Sequence, residues 1–185
     1  IDLQGFLDWG EVVGKMQLQQ VTIGAGRPGM GKTALALHVA ACAALEGHGT
    51  GFILLESDKV SMVQRALSGV VYTGPDSPTA NKVINWELNV REKHALDIAR
   101  KRIDQAPLIM SDPATLYAEN LQAHIRRLNN QMMRKYGVPL KLLIIDYRQL
   151  MGSTNRYLSK TERVGLASAA VKTAAKECNI HIIAL

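Results

Sequence analysis

Gly26-Arg27-Pro28-Gly29-Met30-Gly31-Lys32-Thr33 fits G-x-x-x-x-G-K-[ST], the pattern of a phosphate-binding loop. Its flanks decide the fold. Upstream, Gln20-Val21-Thr22-Ile23-Gly24-Ala25 is a short β-branched run that reads as a buried strand. Downstream, Thr33-Ala34-Leu35-Ala36-Leu37-His38-Val39-Ala40-Ala41 is rich in helix formers. Strand, glycine loop and helix start thus follow in the order a nucleotide site requires. The glycines let backbone N–H groups turn toward phosphate oxygens, and the helix N-terminus adds partial positive charge. Gly26, Arg27, Pro28, Gly29, Met30, Gly31, Lys32, Thr33 and Ala34 are the expected nucleotide-binding residues. Lys32 is expected to reach the β- and γ-phosphates, and the Thr33 hydroxyl to ligate Mg²⁺.

Outward from this loop, strands and helices alternate. Phe52-Ile53-Leu54-Leu55 reads as a second buried strand running into Glu56-Ser57-Asp58. Residues 59–71 carry Val60, Val63, Leu67 and Val70 at the spacing of one helix face. A loop with Gly74, Pro75 and Pro78 follows, then a helical region over 81–104 and a third strand, Pro107-Leu108-Ile109-Met110. Residues 119–134 form a helix with Leu121, Ile125, Leu128 and Met132 on one face, closed by Gly137. The fourth strand covers 140–145 and ends in Asp146. A polar loop over 152–160 leads to a helix of about 18 residues, judged by its 3.6-residue period. Asn179 stops that helix before the last strand, Ile180-His181-Ile182-Ile183-Ala184-Leu185. Such alternation predicts an α/β fold of the P-loop NTPase kind, a mainly parallel twisted sheet with helices on both faces.

Composition narrows the class. A chain of 185 residues with 47% hydrophobic and 21% charged residues suits one soluble domain with a sizeable core. No apolar run approaches the ~18 residues of a membrane span, and no basic-then-apolar leader is present, so a cytoplasmic location is expected. The two cysteines, Cys42 and Cys178, sit in apolar helical patterns and read as buried free thiols. A net charge of +6 permits a polyanionic partner without establishing one. Residues 1–19, with Phe6-Leu7-Asp8-Trp9, form a lead-in to a single domain spanning 1–185. The absence of an initial methionine and the final strand with nothing after it point to a piece of a longer protein.

Two carboxylates stand where chemistry is expected. Leu142-Leu143-Ile144-Ile145-Asp146 is a hydrophobic strand delivering a carboxylate at its C-terminal edge, where open α/β sheets bind ligands. After a phosphate-binding loop, this is the form of the aspartate that holds Mg²⁺ opposite the loop threonine. Glu56 also ends a buried strand and could orient and deprotonate an attacking water. Asp58 is its rival, read as an N-cap for the helix at 59–71; spacing leaves Glu56 only modestly ahead of a solvated charge. Other candidates carry less. Arg100-Lys101-Arg102 and Arg126-Arg127 read as solvated helix faces. His38 and His181 lie among apolar residues and are expected to be packed, and Trp9 and Trp86 to be partial anchors. The five histidines and two cysteines lack metal-ligand spacing.

Four stretches, taken together, resemble the C-terminal ATPase domain of DnaB-type replicative DNA helicases, a RecA-like fold. They are Gly26-Arg27-Pro28-Gly29-Met30-Gly31-Lys32-Thr33, Leu55-Glu56 followed by Arg65, Ile145-Asp146-Tyr147-Arg148-Gln149-Leu150-Met151, and the segment from Lys172 to Leu185. They occur in the family's order and span nearly the whole chain. Ser57 replaces the family's usual Met after the glutamate, and Arg148 replaces an apolar residue, which marks a divergent member of the kind expected on a phage or plasmid.

The resemblance implies that Glu56 is the catalytic base and Lys32 its partner in charge stabilisation, with Thr33 and Asp146 holding Mg²⁺ beside ATP. It implies a homo-hexameric ring around single-stranded DNA, a motor that unwinds duplex, and primase and helicase-loader partners. The loop at 152–160 matches a DNA-facing loop, offering Arg156 and Lys160 for phosphates and Tyr157 for stacking; a flexible solvated connection accounts for it equally well. The family's further sensor, DNA loop and in-trans Arg and Lys do not occur within these residues. In-trans arginines are worth about 10³–10⁵ in rate in related enzymes, so this stretch alone is expected to bind nucleotide but hydrolyse it poorly. A RecA-type recombinase and a non-hydrolysing, nucleotide-gated regulator are the alternatives.

Overall fold

The computed structural model describes residues 1, 14–27, 29–55, 59–71, 78–146, 152–154, 157 and 159–185. Among them, five strands form one sheet: β1 (Val21–Ile23), β2 (Gly49–Leu54), β3 (Leu108–Ser111), β4 (Leu140–Asp146) and β5 (His181–Ala184). Their order is β1-β5-β4-β2-β3, and every pairing is parallel. All strands therefore present their C-terminal ends along one edge.

Among the same residues the helices are α1 (Lys32–Leu45), α2 (Lys59–Val71), α3 (Ala80–Ile84), α4 (Val90–Gln105), α5 (Leu121–Tyr136) and α6 (Lys160–Glu177). Strand alternation divides them into two layers. Leu142, Ile144, Phe52, Leu54 and Ile183 pack against α1 and α2. Leu143, Ile145, Ile53, Ile182 and Ala184 pack against α5 and α6. Because successive side chains on a strand point to opposite faces, runs such as Leu142-Leu143-Ile144-Ile145 must be apolar throughout. A smaller cluster of Val83, Leu88, Leu96 and Ala99 seals α3 and α4 onto α2.

Most predicted elements hold up, with local corrections. The first strand, expected to be buried over 20–25, is only Val21–Ile23 and half-buried, with Ile23 58% exposed. It lies at the end of the sheet order, with β5 its single neighbour among the described strands. The helix over 119–134 is α5, preceded by a 3₁₀ turn at Ala118–Asn120, and Leu121, Ile125, Leu128 and Met132 are its buried residues. Gly137 ends it in the left-handed region, at φ 71°. The region over 81–104 is two helices, since Trp86 at φ 59° turns the chain between them. In α2 the buried face is set by Met62 and Ala66, whereas Val60 is 69% exposed. Helical spacing alone ranks Val60 with the core, but position two residues into the helix leaves it outside the layer. Trp86 is 63% exposed and is no packing anchor. Trp9 lies outside the described residues. No described helix is long and apolar enough to cross a membrane.

Candidate nucleotide-binding site

β1 is short because the loop must leave the sheet where its neighbours' C-terminal ends lie. The Gly24 N–H donates to the Ala184 carbonyl at 2.9 Å, and β1 pairs with β5 up to Ile23 opposite Ala184. On the far side of β5, Ala184 pairs with Ile145, one residue before Asp146. The start of the loop and Asp146 thus stand at the same level of the same edge, with β5 between them. β4 continues this level into β2, where Leu54 lies opposite Asp146 and the Leu55 N–H donates to its carbonyl at 2.7 Å.

The loop itself is shaped by its glycines. Gly29 and Gly31 both take φ 80°, a left-handed conformation that costs an L-residue strain and glycine none. A Cβ on Gly26 would crowd the Lys32 side chain at 3.3 Å, so this position gives the lysine its path across the loop. Lys32 Nζ donates to the carbonyls of Gly26 at 2.9 Å and Arg27 at 3.2 Å. These bonds hold an ammonium over the ring of backbone that the sequence assigns to phosphates. Gly31 is the N-cap of α1, with no side-chain cap and no acidic residue in the first turn. The dipole end of α1 is therefore not neutralised by its own side chains. Arg27, Gly29, Met30, Gly31 and Ala34 are exposed or partly exposed and Thr33 is half-buried, which makes the site an open cradle.

Asp146 is buried, 4% exposed, at the mouth of β4. A carboxylate so placed among apolar strands needs a partner, and Asp146 is not without interactions. The hydroxyl of Thr33 and the carboxylate of Asp146 are hard oxygen donors, the kind Mg²⁺ takes. Glu56, its rival Asp58, Pro28 and Arg156 lie outside the described residues. In the second candidate region, Tyr157 is 98% exposed, while Lys160 is the first residue of α6.

The histidines part company. His181 is packed as expected, 2% exposed, whereas His38 is exposed on α1, 3.6 Å from Cys42 Sγ. One helical turn separates them, so the apolar neighbours of His38 in sequence belong to the opposite face. His181 ties β5 to β1: Nδ1 lies 2.7 Å from the Gln17 carbonyl and Nε2 3.0 Å from Thr22 Oγ1. A carbonyl only accepts, so Nδ1 carries the proton and the Thr22 hydroxyl donates to Nε2. Sequence reading missed this brace to the loop-bearing strand because its partners are about 160 residues apart. Cys42 and Cys178 are free, as expected, but half-buried rather than buried; burial still pushes both thiols up.

The sequence model of the family described as "DnaB-like helicase C terminal domain" matches residues 3–185. A replicative DNA helicase DnaB of Leifsonia xyli subsp. xyli is 34% identical over 182 residues, 98% of this chain. The chain spans 37% of that relative's length. Among solved structures, a DnaB-like replicative helicase described with its interactions with primase superposes with a TM-score of 0.84 at 22% identity. It is covered over 42% of its length and this chain over 98%. A second solved structure, of an ATPase domain, gives the same TM-score and identity, with 61% of that chain and 98% of this one covered. These likenesses confirm the RecA-like fold, and they favour neither the recombinase nor the regulator. With a family match across almost all of its length, the chain belongs to the DnaB-like helicase C-terminal domain family.

Proposed function

We propose that this chain is the ATP-hydrolysing motor domain of a ring-shaped replicative helicase that moves on single-stranded DNA and unwinds duplex. The observation that carries the proposal is the family match over residues 3–185 on a fold that sets the glycine loop and Asp146 on one sheet edge. In this reading Lys32 and the backbone N–H groups of residues 29–34 bind and neutralise the β- and γ-phosphates of ATP. Thr33 and Asp146 would hold Mg²⁺, which when bound supplies charge neutralisation at the phosphates. Glu56 orients the attacking water and takes its proton. The hydrogen bonds from Lys32 to the Gly26 and Arg27 carbonyls keep its ammonium against the loop, which supports this role.

The same reading places single-stranded DNA against the loop at 152–160, with Arg156, Tyr157 and Lys160 as its contacts. Copies of the chain would form the hexameric ring, with primase and a helicase loader as further partners in the cytoplasm. ATP turnover by the intact protein, with and without single-stranded DNA, tests the motor. Turnover is expected to rise strongly with DNA and to fall by roughly a hundredfold or more in Glu56→Gln. Turnover indifferent to both would sink the motor and favour a regulatory module. An unwinding assay separates a helicase from a strand-coating recombinase.

A further inference from the structure

The region following β4 is fastened to the segment between β3 and α5. Gly152 forms a parallel bridge with Tyr117: its N–H donates to the Leu116 carbonyl at 2.8 Å, and its carbonyl accepts from the Ala118 N–H at 3.0 Å. Next to this bridge one carboxylate oxygen, Glu119 Oε1, gathers three donors. Ser153 Oγ lies at 2.7 Å, Thr154 Oγ1 at 3.0 Å and the Thr154 N–H at 3.2 Å. The Ser153 hydrogen bond, with those of Thr154, holds the Glu119 carboxyl below the usual carboxylate range. At the other end Ser159 and Glu162 form a capping box, in which Glu162 Oε2 accepts from the Ser159 N–H at 2.8 Å and Ser159 Oγ accepts from the Glu162 N–H at 3.3 Å.

We infer that Glu119 is a positioning residue for single-stranded DNA binding: it fixes the start of the loop whose Tyr157 meets the DNA. The inference rests on the reading of 152–160 as the DNA-facing loop. Charge-assisted hydrogen bonds are the stronger kind, and three on one oxygen over-determine where Ser153 and Thr154 sit. Both ends of the loop are then held by carboxylates, one from a segment 34 residues away and one from the helix that follows. A binding loop whose start is already fixed loses less conformational freedom when a strand docks on it. Glu119 repels phosphate, so it contributes by holding the loop and not by touching the strand. It also lies in the turn that leads into α5, so loop position is coupled to the layer beneath β4.

The test uses the full-length protein, a fluorescein-labelled oligo(dT) and a non-hydrolysable ATP analogue, read by anisotropy, beside DNA-free ATP turnover. If release of the clamp leaves the competent loop geometry present about a tenth of the time, Glu119→Ala weakens DNA binding about tenfold. Glu119→Gln, which keeps an acceptor oxygen, is expected to retain most of the affinity, within about threefold of the parent. DNA-free turnover should stay within about twofold in both. Ser153→Ala combined with Thr154→Val removes two of the donors and should weaken DNA binding even if Glu119→Ala does not fold. Unchanged or tighter DNA binding in Glu119→Ala overturns the inference, the latter pointing to competition between the carboxylate and phosphate. A parallel loss of DNA-free turnover overturns it too, in favour of a general structural role. A parent protein that binds no oligo(dT) removes the DNA-motor reading itself, whereas a binding parent with an equally binding variant removes only the role of Glu119.

Discussion

Gly31 shows how much a single backbone angle carries. It holds φ 80°, and a Cβ there would meet nothing within 4 Å. Conformation, not space, demands glycine. Gly31→Ala is therefore expected to fold normally and to strain the loop by about 1–2 kcal/mol, weakening ATP about tenfold; titration with a fluorescent nucleotide reads this directly. His181 carries a different burden. Its burial pushes the imidazole below its ordinary value, so the unfolded chain takes up the proton first as pH drops from about 6.5. His124, also lowered, by burial and then by Arg127, acts in the same direction. Stability is thus fully present above that pH and is lost as pH falls through the folded-state values. Urea unfolding at pH 7.5 and 5.5 should show the loss, and His181→Gln should flatten it. An unchanged slope would mean that His181 takes up its proton equally in the folded and unfolded chains.

At the scale of elements, the described glycine with least room for a side chain lies where β2 meets the chain that leads into β4. A Cβ on Gly49 would overlap the Pro139 carbonyl oxygen, a backbone atom with no freedom to move aside. Gly49 opens a strand that is buried throughout, and β2 is flanked by both β4 and β3. Overpacking there cannot be relieved by one rotamer, so Gly49→Ala is expected to cost about 2–3 kcal/mol and to lower Tm by about 5–10 °C. Differential scanning fluorimetry checks it; a loss under a degree would mean that the strand starts later than Gly49. β1, by contrast, is a three-residue strand at the end of the sheet order, held by β5 and by the His181 brace. The nucleotide loop therefore hangs from the least extensively paired of the described strands.

At the scale of the whole molecule, charge and its placement govern the polyanion. A net charge of +6 gives a general attraction, and the exposed basic residues of α4 and α5 supply part of it. If Lys160 contacts a phosphate in the intact protein, Lys160→Ala should make the salt dependence of single-stranded DNA binding shallower by about 0.7 in the log–log slope. An unaltered slope with reduced affinity would place Lys160 outside the phosphate contacts.

The glycine loop, its strand and helix, the carboxylate at the end of β4 and the face of α5 could all be read from the sequence, because each is decided by neighbours within a few residues. Periodicity over short windows reports local geometry well. It fails where burial depends on what lies opposite. Val60 and Met62 are two residues apart on α2, and only the sheet beneath decides that Met62 is core and Val60 is exposed. His38 and His181 both sit among apolar residues, yet one faces outward and the other braces two strands. The level of Asp146 with the start of the glycine loop, and the carboxylate of Glu119 beneath Ser153 and Thr154, are likewise pairings across distant stretches. Sequence by itself determined which elements form and which residue types carry the chemistry. Tertiary structure alone decided which of them meet, because contact between distant segments is a property of the packed sheet and leaves no local periodic trace.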